Sequence, residues 1–276
     1  MIPLAVPNIS GNEGEYLQEC VDSNFVSSVG PFVDRFEEAA VKASEAQFAV
    51  ATASGTTGLH LALIAVGVRR DDLVILPSFT FIAGANAIAH SGAMPWLFDV
   101  EARSWTLDPA QVKEHLASQT EWRRGELIHR ESGRRVAAIM PVYTLGMPAD
   151  MDSFRSISEE FQLPLVADAA AALGARYRGR NLGKLADLTV FSFNGNKTVT
   201  CGGGGCVVGE QEHLLKRIRH LSTQARSGPH YDHDEVGFNY RMTSLQAAVG
   251  CAQLERLGEF VSAKRCIANL YNQAFR

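Results

Sequence analysis

From Phe48 onward the chain alternates short apolar runs with stretches whose apolar residues recur every three to four positions, which predicts strands alternating with helices. FAVAT (48–52) reads as a buried strand and GLHLALIAVGV (58–68) as the helix after it. LVILPS (73–78), FIAGANAIAHSG (81–92) and MPWLFDV (94–100) repeat strand, helix, strand. RVAAIMPV, LPLVADAA and LTVFSFN add three strands ending near residues 142, 168 and 194. The predicted fold class is therefore α/β, a three-layer α/β/α arrangement around a mostly parallel, doubly covered sheet.

Outside this alternation, residues 11–24 and 31–46 read as two amphipathic helices ahead of the sheet. EWRRGELIHRESGR (121–134) is charged and aperiodic, and it predicts an exposed excursion between a helix and a strand. From Thr243 to Phe275 the pattern is helical, with an apolar stripe of Leu245, Val249, Ala252, Leu254, Leu257 and Val261. The organisation expected is a large domain over 1–242 and a long helix over 243–276.

Composition narrows the function. The 276 residues are 46% hydrophobic and 20% charged, enough for a full core, and the net charge of −4 provides no basic field for nucleic acid or an anionic membrane. No basic start with an apolar signal core and no bilayer-length apolar run is present, so the reading is a cytoplasmic protein. Five cysteines (Cys20, Cys201, Cys206, Cys251, Cys266) form no CxxC pair and read as reduced packing residues. His230 and His233 flank Tyr231 in GPHYDHDE, a polar loop that supports no metal assignment.

The chemistry concentrates where strands end. SFNGNKTVTCGGGGCVVG (192–209) places Lys197 between a strand and four glycines, although ordering glycine is costly unless the backbone must turn or approach something closely. The lysine precedes the glycines and VVGE reads as a strand, so neither a P-loop nor a dinucleotide fingerprint fits. An amine that can lose its proton near a carbonyl is the basis of Schiff-base catalysis. Pyridoxal phosphate held that way also needs an acid for its ring nitrogen, an anion site and a flat face. Asp168, at the end of an apolar strand, is the acid candidate, with a turn or helix-cap aspartate as the other reading. SGTTG (54–58), between strand and helix, is the anion candidate, and capping alone also selects such residues. Phe79 and Phe81 offer the flat face or simply core.

These motifs in this order resemble the sugar aminotransferases of the DegT/DnrJ/EryC1/StrS family, fold-type I enzymes that use pyridoxal phosphate. The resemblance runs from IPLAVPNISGNEGEY and NFVSSVGPFVDRFEEA to the last helix. SFNGNKTVTCGGGG and GFNYRMTSLQAA are its most specific signatures. It is closest to the branch that makes 4-amino sugars of the bacillosamine and legionaminic acid type. The resemblance implies pyridoxal 5′-phosphate as cofactor, with Lys197 bonded to it and shuttling a proton to the sugar C4, and Asp168 paired with the ring nitrogen. Phe81 would stack on the ring, and Gly55, Thr56 and Ser192 would hold the phosphate. Asn239 would reach the phosphate of a neighbouring subunit, which implies a homodimer with shared sites.

The implied reaction moves an amino group from glutamate to C4 of a UDP-linked 4-keto sugar, for cell-surface glycans. Relatives that remove a hydroxyl carry histidine at the lysine position, so Lys197 favours transamination. Two departures stand out: Ala171 occupies the place of a usual glutamine or glutamate, and the chain ends at Arg276 before the family's small C-terminal domain, expected to be largely missing. The alternative they support is a non-catalytic or weakly active cofactor-binding, dimerising remnant.

Overall fold

The computed structural model describes residue 3, residues 5–228 and residues 230–275. Met1, Ile2 and Leu4 at the start, Pro229 of the GPHYDHDE loop and the terminal Arg276 lie outside the described residues.

Two helices, α1 (Glu13–Asp22) and α2 (Pro31–Ser44), precede the first strand, β1 (Phe48–Thr52). α2 opens on Pro31, where a missing N–H costs nothing, and stops at Glu45 in the left-handed region (φ 60°). Then follow α3 (Gly55–Ala65), β2 (Leu73–Pro77), α4 (Ala83–His90), β3 (Met94–Phe98) and α5 (Pro109–Gln119). A hairpin of β4 (Thr120–Arg123) and β5 (Glu126–His129) leads to β6 (Val136–Ile139), α6 (Met151–Phe161), β7 (Val166–Asp168), β8 (Leu188–Ser192) and β9 (Gly205–Gly209). The chain continues through α7 (Glu212–Ser222), a two-stranded ribbon of β10 (Arg226–Ser227) and β11 (Asp232–His233), α8 (Ser244–Glu255) and α9 (Leu257–Ala274).

The strands run in the orders β1-β9-β8-β7 and β3-β2-β6, and isolated parallel bridges Ile139–Leu165 and Val142–Asp168 join β6 to β7. β9 pairs antiparallel with both β1 and β8, while β7–β8, β2–β6 and β2–β3 are parallel. The reversal has a simple cause. No helix separates β8 from β9, and a loop without a crossover can only bring the chain back antiparallel. β8 sends Leu188 and Val190 into one buried cluster and Phe191 into the other, so both faces of the sheet are covered. This is the expected α/β arrangement.

Three local readings change. The helix expected from residue 58 begins at Gly55, because Ser54 and Thr57 cap each other: the Thr57 amide donates to Ser54 Oγ (3.1 Å) and the Ser54 amide to Thr57 Oγ1 (3.0 Å). The excursion over 121–134 is largely the β4–β5 hairpin. Arg124 (φ 52°) and Gly125 (φ 81°) make its two-residue turn, Leu127 and Ile128 are buried, and the charges that disguised it pair at the surface, as in Arg69–Glu126 and Arg130–Glu121 (both 2.5 Å). The single helix expected over 243–276 is broken at Arg256 (φ −105°, ψ 9°).

The two halves of that segment behave differently. α8 lies against α1 and α2 and buries Ala247, Ala248, Cys251 and Leu254 in the core, so a boundary at 242/243 falls inside the packed body. The residues facing α2 are small because the approach is close: a Cβ on Gly250 would sit 2.6 Å from the Phe36 ring. α9 buries none of its described residues.

Candidate active site

The C-terminal ends of β1, β2, β6, β7 and β8 surround a cavity of about 560 Å³, the position where open α/β sheets bind ligands. Gly55, Thr56, Phe81, Asp168, Ser192 and Lys197 all line it, together with Phe79. Asn239 does not. It sits on an exposed segment that bridges Thr223, outside the cavity of its own chain.

Each wall follows from local sequence. Ser54 spends its hydroxyl on the cap, which leaves the Gly55 and Thr56 amides at the start of α3 with no acceptor inside the helix. A Cβ on Gly55 would meet the Ser192 Cβ at 3.0 Å, so the start of α3 lies directly beside the end of β8. The other side is tighter still: a Cβ on Gly205 would lie 2.4 Å from the Ser54 carbonyl oxygen and 2.6 Å from the Gly55 nitrogen. One of the four consecutive glycines is thus there because the start of α3 presses against β9, and Gly202 (φ 74°) turns the chain.

The loop that carries Lys197 is pinned at its base. The Phe193 amide donates to the Gly204 carbonyl (2.9 Å), and the Phe193 carbonyl accepts from the Cys201 amide (2.8 Å) and the Thr200 hydroxyl (3.2 Å). From α8, Gln253 accepts from the Thr200 amide at 3.4 Å and donates to Glu13 (2.6 Å) and to the Asn8 carbonyl (2.6 Å). A closed loop fixed at both ends holds the half-buried lysine over the cavity rather than leaving it to sweep solvent.

Asp168 is 5% exposed, and burial raises its pKa. The Ala170 amide, which donates to Oδ1 at 3.0 Å, and the charge of Lys197 pull in the other direction without reversing the shift. This carboxylate therefore needs a further cationic partner to ionise at no cost. Sequence reasoning missed two neighbours in the loop after β6: Tyr143 and Thr144 line the same cavity, and the buried Tyr143 hydroxyl and Thr144 Oγ1 have no hydrogen-bond partner. Leu145, 89% exposed and in the left-handed region (φ 54°), follows them on the cavity rim. The polar YT pair closing an apolar strand was the available signal.

Comparison with known proteins decides what this constellation belongs to. The model of the DegT/DnrJ/EryC1/StrS aminotransferase family matches residues 7–276. The chain belongs to that family. It is 37% identical over 273 residues to the GDP-perosamine synthase of Escherichia coli O157:H7, covering 99% of this chain and 71% of that protein. It is 40% identical to the GDP-perosamine synthase of Caulobacter vibrioides, covering 99% of this chain and 69% of that one. Among solved structures, DesV of S. venezuelae in complex with a ketimine intermediate superposes with a TM-score of 0.80 at 33% identity, over 90% of this chain and 62% of DesV. The chain thus spans under two thirds of the DesV structure and about 70% of the curated relatives.

The fold, the cofactor and the enzyme class are those of pyridoxal phosphate-dependent sugar aminotransferases of this DegT-type family. Pyridoxal 5′-phosphate fits the residues present: a half-buried lysine, a buried carboxylate lacking a full counter-charge and unpaired amides at a helix start share one cavity. The branch that makes bacillosamine-type sugars is not singled out, since the relatives above are perosamine synthases. No helix among the described residues is long and apolar enough to cross a membrane.

Proposed function

We propose that this chain transfers an amino group from glutamate to C4 of a nucleotide-linked 4-keto sugar. The observation that carries the reading is the shared cavity of Lys197 and Asp168 at the strand ends, within a chain of this family. Pyridoxal phosphate, when bound, supplies the electron sink that lets an amine pass from an amino acid to a ketone. The protein does the rest. Lys197 Nζ would hold the cofactor and, once released from it, carry the proton to and from the sugar C4, a task that suits an amine on a pinned loop.

Asp168 would keep the ring nitrogen protonated, an ion pair that would relieve the cost of its own burial. The Gly55 and Thr56 amides and the Ser192 side chain would hold the phosphate, and Phe81 would cover the ring face. Asn239, outside its own cavity and exposed, is assigned to the phosphate of a partner copy in a homodimer with shared sites.

Support for C4 comes from the relatives named GDP-perosamine synthase and from the sequence resemblance to 4-amino-sugar enzymes. The two differ over the nucleotide: the resemblance favours a UDP-linked 2-acetamido sugar, the relatives' names a GDP-linked one. A panel of GDP-, UDP- and dTDP-linked 4-keto and 3-keto sugars, supplied with glutamate and followed by product analysis, tests the reading. A 4-amino product is expected. Activity confined to 3-keto sugars would overturn the position, and no change in the bound cofactor's absorbance on adding glutamate would leave only a binding protein.

A further inference from the structure

One face of α8 runs along the loop that carries Lys197. Gln246, Gly250 and Gln253 recur at helical spacing and so share a stripe of that helix. A Cβ on Gly203 would lie 3.4 Å from Gln246 Nε2, and a Cβ on Gly250 would lie 2.5 Å from Cys201 Sγ. At the far end of the stripe the Thr200 amide donates to Gln253 Oε1 at 3.4 Å. The closing half of the loop therefore tracks α8 step by step, and position 253 ties it down.

Gln253 is 2% exposed, and its orientation is fixed. Nε2 donates to Glu13 Oε1 and to the Asn8 carbonyl, both at 2.6 Å, so Oε1 is the end that faces Thr200. Glu13 is itself 5% exposed, and its other oxygen accepts from the Gly11 amide (2.8 Å). Hydrogen bonds to a charged acceptor are the stronger kind, so Glu13 fixes the carboxamide and the carboxamide fixes Thr200. Thr200 passes the constraint on. Its hydroxyl donates to the Phe193 carbonyl (3.2 Å) and accepts from the Gly202 amide (2.9 Å), and at 4% exposure it lies too deep for solvent to replace a lost partner. Lys197 sits inside the loop those bonds close, its own amide donating to the Asn194 carbonyl (3.0 Å).

We infer that Gln253 is a positioning residue for Lys197: held by Glu13, its carboxamide fixes the Thr200 amide and with it the point in the cavity where the lysine amine works. The inference rests on the reading of Lys197 as the amine that holds the cofactor. It adds two side chains, 240 positions apart and neither of them lining the cavity, that set the place of its reactive group. A reacting group displaced by about 1 Å loses up to about 100-fold in rate. Affinity for the amino acid, which Gln253 does not reach, changes little.

The test compares wild type with Gln253→Met, Gln253→Glu, Gln253→Glu combined with Glu13→Gln, and Tyr16→Phe, which removes a different α1–α8 hydrogen bond, to Glu255 (2.7 Å). Three quantities are read: hydrogen exchange of residues 193–204 without cofactor, the pH midpoint of the bound cofactor's absorbance, and the saturating rate and half-saturation of its amination by glutamate. Gln253→Met is expected to speed exchange at least about 10-fold and to move the midpoint by at least about half a pH unit. It lowers the saturating rate about 10- to 100-fold and leaves half-saturation within about two-fold. Gln253→Glu, whose carboxylate faces that of Glu13, behaves alike, and adding Glu13→Gln restores a donor to the pair and brings the rate to within about five-fold of wild type. Tyr16→Phe changes none of the three.

A Gln253→Met protein that melts lower while exchange, midpoint and rate stay at wild-type values would overturn the inference, leaving Gln253 a packing residue. So would a loss confined to half-saturation, or a double variant no faster than Gln253→Glu. Wild-type protein that glutamate fails to aminate removes the proposed function instead, and exchange and midpoint then decide the role of Gln253 on their own.

Discussion

Replacing Gly205 by alanine places a methyl carbon 2.4 Å from the Ser54 carbonyl oxygen and 2.5 Å from its carbonyl carbon. Side-chain carbons essentially never come closer than 3.0 Å to such atoms, so β9 and the start of α3 must part by at least about 0.6 Å. Neither yields easily. Gly205 is paired with Thr52 on one side and Ser192 on the other, and Ser54 is locked by its reciprocal cap with Thr57. Overpacking of this kind costs about 1–3 kcal/mol, which in a chain of this size lowers the melting temperature by about 2–12 °C.

The displaced atoms are those assigned to the phosphate, so cofactor affinity falls by roughly 10- to 100-fold, the equivalent of one or two charge-assisted hydrogen bonds. Thermal unfolding without cofactor and titration with pyridoxal phosphate measure the two effects. Gly258→Ala is the internal contrast: nothing lies within 4 Å of the added carbon, the site is in α9, and the change stabilises by up to about 1 kcal/mol. A Gly205→Ala protein that melts and binds cofactor like wild type would refute the argument that the glycines exist to bring the cradle against β9.

Three further outcomes follow from buried and altered groups. Asp168 has its pKa raised by burial, so the cofactor-free protein loses stability as pH climbs past the unfolded value of about 4; Asp168→Asn therefore melts higher than wild type at neutral pH without cofactor, the gap closing toward that value, and yet loses transamination. His60, 3% exposed among Phe238, Tyr240 and His90, has its pKa lowered to about 4 by burial and by the His90 charge. Stability therefore drops by up to about 3 kcal/mol as pH falls from about 6.5 to about 4, and melting of His60→Phe across that range should be flat by comparison. Ala171→Gln restores a polar side chain at an exposed position on the cavity wall, and titration should show cofactor affinity rising by roughly 2- to 12-fold.

Much of this site was legible because its parts are local. The lysine, the glycines and the strand before them are contiguous, and the SGTTG cap and Asp168 each close an apolar run, so sequence order alone brings them to strand ends. What escaped depended on distant pairing. Tyr143 and Thr144 look like ordinary strand-end residues until burial leaves their hydroxyls unpartnered. Gln253 reads as a helix surface residue, yet it ties Thr200 of the lysine loop, 53 positions away, to Glu13 and Asn8, 240 and 245 positions away. The β4–β5 hairpin was hidden because its many charges outweigh a two-residue apolar core in any periodicity test.

The central claim is that position 197 supplies the amine that holds the cofactor. Borohydride reduction of the cofactor-loaded protein, followed by proteolysis and mass spectrometry of the peptides, tests it most directly. The account predicts a pyridoxyl adduct on Lys197 and its loss in Lys197→Ala. An adduct confined to another lysine, such as Lys264 or Lys184, or no adduct at all, would contradict it.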